Sequence, residues 1–71
     1  MVNTYKLKGR IVERGLTLRR LADELGMSPA TLGRKIKNKS PMTLEEVEAL
    51  RDFLEIAPCR IMEYFFVEHM R

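Results

Sequence analysis

Apolar residues recur along most of this chain at helical spacing, and no stretch of four or more alternates cleanly with polar residues in β-branched company. The pattern predicts an all-α protein of four to five short helices. The first is expected over 5–14, with Thr4 as its cap, Leu7 and Ile11 on one face, Val12 beside them, and Gly15 as a left-handed stop. The second is expected over 17–25. Thr17 caps it, Leu18, Leu21, Ala22 and Leu25 fall at i, i+3, i+4 and i+7, and Gly26 ends it. The third, over 28–37, has Ser28 as cap and Pro29 in the first turn, where a missing N–H costs nothing. Leu32 and Ile36 point inward, and Asn38 is the expected left-handed residue beyond its end. After the loop Lys39–Met42, Thr43 and Glu46 have the spacing of a capping box for a helix over 43–54. Its expected inner face is Leu44, Val47, Leu50 and Leu54, with Phe53 at the margin. Pro58 begins a fifth helix, expected over 58–68.

Seventy-one residues make one domain, which at this size buries only about 60% of its unfolded surface. Staples are not to be expected. Cys59 is the only cysteine, and with His69, the only histidine, it cannot supply the three ligands of a zinc site. No Ser or Thr has a plausible histidine base, so the expectation is a binding protein and not an enzyme. No metal, cofactor or small-molecule ligand is expected. The apolar residues are scattered, with no run near the roughly 18 of a membrane span. Lys6, Lys8 and Arg10 without an apolar core argue against a signal peptide, which makes the expected location cytoplasmic.

Charge changes the picture. Met1–Ser40 holds ten Lys/Arg and three Asp/Glu, a net of +7, whereas the remainder holds three and seven, a net of −4. No acid lies between Glu24 and Glu45, while Arg34, Lys35, Lys37 and Lys39 fall in that gap. A basic half of this kind suits a polyanion, and nucleic acid is the commonest one. RNA is disfavoured because Tyr5 is the only aromatic residue in the basic half.

The second and third helices, joined by a short turn containing Gly26, have the sequence form of a helix-turn-helix at about 17–37. Ala22 permits a close crossing, Gly26 makes the turn, and Leu32 locks the second helix of the unit onto the first. The stretch Gly15–Leu54 resembles the lambda-repressor/Cro-like (Xre) family, and short bacteriophage or prophage regulators in particular. The resemblance rests on Gly15-Leu16-Thr17, Leu21-Ala22, Leu25-Gly26-Met27-Ser28, Leu32-Gly33-Arg34-Lys35-Ile36 and Pro41-Met42-Thr43-Leu44, and spans roughly 5–56. The chain departs from the common pattern in having Leu18 where many members carry Gln, Gly33 where many have Ser, and Lys37-Asn38 where many have Asn-Gly.

What the resemblance implies is a transcriptional regulator that binds a double-stranded DNA operator with its third helix in the major groove. Carried onto this chain, the base-reading positions are Pro29, Ala30, Thr31, Gly33, Arg34 and Lys37. Arg34 has the chemistry for a bidentate pair with guanine, and Pro29 and Ala30 offer only apolar contact. Thr17, Arg19, Ser28, Lys35, Asn38, Lys39 and Ser40 are the expected phosphate contacts. In the last segment Ile61, Met62, Phe65 and Phe66, broadened by Tyr64 and Val67, form a stripe that completes the core, joins a homodimer, or does both with one side in each. The competing reading keeps the same fold as a protein-interaction module, an antirepressor or antitoxin-like partner of another regulator.

Overall fold

A computed structural model describes residues 1–67, and its order is α1 (Thr4–Glu13), α2 (Leu18–Leu25), α3 (Pro29–Ile36), α4 (Leu44–Leu54), a 3₁₀ turn (Pro58–Arg60) and α5 (Ile61–Phe65). The chain is all-helical over the described residues, and no helix there is long and apolar enough to cross a membrane. The expected extension of the last helix to residue 68, and His69, lie outside the described residues.

Three of the four expected caps are in place. Thr17, Ser28 and Thr43 accept the backbone N–H three residues on, and Glu46 returns the bond to Thr43 to complete the capping box. The first helix differs from expectation. Its cap is Asn3, whose side chain accepts from the Lys6 N–H, while the Thr4 hydroxyl donates across the fold to the Ile36 carbonyl at 2.6 Å. Two adjacent cap-forming residues compete here, and the tertiary hydrogen bond of Thr4 decides between them.

The first four helices end in the same way. A left-handed residue (Gly15, Gly26, Asn38 or Glu55) lets the next N–H reach back five residues. The bonds are Leu16 to Ile11 (3.1 Å), Met27 to Ala22 (3.0 Å), Lys39 to Arg34 (2.8 Å) and Ile56 to Arg51 (3.0 Å). Glycine adopts this conformation freely at 15 and 26. Glu55, at φ 52°, does not, and is held by Arg10 of α1 and by Arg14 at the C-cap of that helix. Arg10 donates to the carbonyls of Leu54 (2.8 Å) and Glu55 (3.0 Å), and Arg14 pairs with the Glu55 carboxylate.

The core gathers Leu7 and Ile11 of α1, Leu21 and Ala22 of α2, Leu32 and Ile36 of α3, and Val47, Leu50 and Leu54 of α4. Ala22 is fully buried, and α2 packs against α3. Two expected core positions are corrected. Val12 is 76% exposed because only the i, i+4 pair of α1 turns inward, and Leu44 is 62% exposed because it opens α4 ahead of the inward stripe.

The fifth helix is also shorter than expected. Pro58 starts a 3₁₀ turn, closed by Arg60 N–H to Ala57 O, and the α-helix that follows stops at Phe65. Its last backbone groups are taken by the N-terminal segment. The Tyr64 carbonyl accepts from Asn3 N–H at 2.8 Å, and the Val67 N–H donates to Met1 O at 2.9 Å. This pairing settles what the aromatic stripe does within the chain. Tyr64 and Phe65 are 6% and 3% exposed and complete the core, so neither is available as the expected dimer contact. Ile61 is half-buried against the core, and Met62 and Phe66 remain exposed.

Candidate nucleic-acid interface

The helix α3 is built to show one face. Pro29 and the Ser28 cap set its start, and Leu32 and Ile36 anchor it to the core. At 100° per residue, Ala30, Arg34 and Lys37 then fall together on the opposite side, with Gly33 at one margin. Pro29, Ala30, Arg34 and Lys37 are exposed in the structure. Thr31 is half-buried, and its Oγ1 accepts from the Ser28 hydroxyl at 2.9 Å, with the Arg34 guanidinium 3.4 Å away. Gly33 is half-buried over α2: a Cβ there would meet Leu18 Cδ2 at 3.7 Å, an ordinary contact. Of the six expected base-reading residues, the structure brings Ala30, Arg34 and Lys37 together on an open face, with Pro29 exposed at the start of the helix.

The expected phosphate contacts divide more sharply. Thr17, Arg19, Ser28 and Lys39 are exposed and Ser40 is half-buried. The first-turn N–H groups of Leu18 and Arg19 precede the one that Thr17 caps, so this end of α2 presents free donors at the positive end of its dipole. Lys35 and Asn38 are corrected. Lys35 turns toward α4, where its Nζ lies 2.8 and 2.7 Å from the two carboxylate oxygens of Glu46, with both side chains under one-fifth exposed. Asn38 accepts the Val2 N–H on Oδ1 at 2.7 Å and donates from Nδ2 to the Val2 carbonyl at 2.9 Å, tying the N-terminal segment down. Both side chains serve the fold.

The Lys35–Glu46 pair carries a pH dependence. Partial burial pushes the Glu46 carboxyl up, but the hydrogen bonds from Lys35 and from Thr43 outweigh it and hold the group below its ordinary value of 4.5. A carboxylate depressed by folding stabilises the fold above its unfolded pKa, and that contribution is lost as pH falls through the folded one. Glu46→Gln retains an acceptor for the Thr43 cap and removes only the charge. It is expected to cost about 1–2 kcal/mol at pH 7 and almost nothing at the acid end, which urea melts at a series of pH values would read.

Ion pairing sorts the remaining cations. Among the twelve Lys/Arg of the described residues, seven have a carboxylate partner: Lys6, Arg10, Arg14, Arg20, Lys35, Arg51 and Arg60. The other five are Lys8, Arg19, Arg34, Lys37 and Lys39, which have none among the described residues. They belong to α1, to the start of α2, and to α3 and the turn after it. Lys8 is not among the residues expected from the sequence, and local spacing does not single it out, since Lys6 also lacks an acid three or four residues away yet pairs with Glu63.

Beside this face runs a groove between the end of α1, the start of α2 and α3, lined by Val12, Leu16, Leu18 and Gly33 with Lys8 and Lys37 at its edges. A family model for a protein of unknown function, DUF739, matches residues 1–68, and the chain belongs to that family. Neither a curated protein nor a solved structure matches it.

Proposed function

We propose that this DUF739 protein is a sequence-specific DNA-binding transcriptional regulator that lays the outer face of α3 in the major groove of an operator. The observation that carries the reading is the sorting of the cations. Among the described residues seven pair with the protein's own carboxylates, and the five without such a partner fall on α1, the start of α2, α3 and the turn after it. A fold that pairs most of its cations and leaves these open presents a positive surface for a polyanion. The resemblance of Gly15–Leu54 to the lambda-repressor/Cro-like family supports the same orientation. Arg34 reads a guanine edge, Ala30 and Pro29 make apolar contact with bases, and Lys37 reaches base or phosphate. Arg19, Lys39 and the free N–H groups of α2 hold the backbone. Bound at a promoter, such a domain regulates by occupancy, with two copies on half-sites about 34 Å apart along the duplex. Met62 and Phe66 are the part of the last-helix stripe still open to pairing of that kind.

Two neighbouring residues test the orientation. Arg34→Ala is expected to weaken operator binding by about 1–3 kcal/mol and to relax one base position. Lys35→Ala, one residue on, is expected to lower thermal stability while leaving the base preference unchanged. Fluorescence anisotropy on a set of single-base operator variants separates the two; equal loss on every sequence for Arg34→Ala would remove it from base reading. The second reading, an interaction module that acts on another regulator, is favoured by the apolar groove beside α3. A protein that binds no duplex at low salt while retaining its fold would turn the account toward it.

A further inference from the structure

We infer that one copy of this chain docks on another head to tail, with Leu44, Glu45 and Glu48 of one copy seated in the lysine-edged groove between α1, α2 and α3 of the next. The inference goes beyond DNA binding and does not depend on it.

The groove has apolar walls, Val12, Leu16, Leu18 and the bare backbone of Gly33, and two lysines at its edges, Lys8 and Lys37. Neither lysine has an ion-pair partner among the described residues. Val12, at 76% exposure, is the most exposed of the large apolar side chains. The matching feature is on α4. Leu44 is exposed in the first turn, and Glu48 and Glu45 lie 40° and 100° from it around the helix, on the same open face. Most carboxylates of the fold are spoken for. Among the described residues only Asp23, Glu45 and Glu48 lack a cationic partner, and two of those three lie beside Leu44 on one side of it. An exposed leucine with two acids beside it, both unpaired among the described residues, thus complements an apolar groove that carries two lysines likewise unpaired.

The two features cannot meet within one copy. Lys35 faces α4 through Glu46, whereas Gly33 and Lys37 face the groove, so α3 stands between them. With the two patches on different sides of α3, a contact made at one of them at a time is head to tail. It propagates from copy to copy, as a ring if the rotation closes and as an open chain if it does not. Because Lys37 also belongs to the outer face of α3, a docked copy covers part of that face.

Complementary charge swaps test this with the full chain. Sedimentation velocity from micromolar to about 0.5 mM protein, at about 50 mM salt, should show wild-type mass rising with concentration and falling back at higher salt. One variant carries Lys8→Glu and Lys37→Glu, making the groove acidic; the other carries Glu45→Lys and Glu48→Lys, making the α4 end basic. Each alone then opposes like charges and is expected to associate about tenfold more weakly or less. Their equimolar mixture restores opposite charges at every junction and should associate about as well as the wild type. Both variants are expected to fold, since all four residues are exposed and outside the core, and circular dichroism checks this. A wild type that stays monomeric throughout would overturn the inference. So would variants that associate singly as well as the wild type does, as they would if the contact ran through Met62 and Phe66. A mixture no better than its components would do the same.

Discussion

Phe65→Ala is expected to abolish most of the folded population at physiological temperature. Phe65 is 3% exposed and lies in one core with residues of α1, α3 and α4. Removing a buried phenyl ring costs about 3–5 kcal/mol, the lost transfer free energy together with the cavity left behind. A core in a domain of this size supplies little more than that in total, about 3–5 kcal/mol. The melting temperature should therefore drop by roughly 15 °C or more, or the cooperative transition should vanish. The exposed neighbours provide the control. Met62→Ala and Phe66→Ala should each change stability by about 0.5 kcal/mol or less, because neither ring nor thioether is packed away from water. Thermal melts followed by circular dichroism measure all three. A Phe65→Ala melt close to that of the wild type would mean that the last helix is not part of the monomer core.

The second large effect is the salt dependence of DNA binding. Counterion release makes the logarithm of affinity fall linearly with the logarithm of salt, at about 0.9 per phosphate neutralised. With Lys8, Arg19, Arg34, Lys37 and Lys39 the only cations free of carboxylate partners among the described residues, four or five phosphate contacts per copy are available. The slope should lie between about −3.6 and −4.5 per copy, so that raising salt from 50 to 200 mM weakens each copy's binding by a few hundredfold. Lys39→Ala should reduce the slope by about one and weaken all sequences alike. Lys35→Ala should leave it unchanged, because that charge is already matched by Glu46. A slope near zero, or one lowered equally by Lys35→Ala, would place the bound anion elsewhere.

These two predictions mark where the chain was legible and where it was not. Local chemistry carried the helix limits. Thr17, Ser28 and Thr43 cap, and Gly15, Gly26 and Asn38 turn left-handed, because each acts on backbone within five residues of itself. What failed depended on distant partners. Thr4 gave up its cap for a carbonyl 32 residues away, and Glu55 turns left-handed under the hold of Arg10 and Arg14, more than 40 residues earlier. The fifth helix stopped where Met1 and Asn3 claimed its backbone. The candidate site divides along the same line. Periodicity placed Ala30, Arg34 and Lys37 outward correctly, since Leu32 and Ile36 fix the rotation of α3. It could not remove Lys35 and Asn38 from the phosphate set, because their partners, Glu46 and Val2, come from other parts of the fold.

The central claim is that the open face of α3 reads DNA, and selection of tight-binding sequences from a pool of randomised duplexes tests it most directly. The wild type should enrich one motif, with two half-sites if two copies bind together, and Arg34→Ala should lose preference at a single position in each half-site. A folded wild-type protein that recovers a pool indistinguishable from the input would contradict the claim.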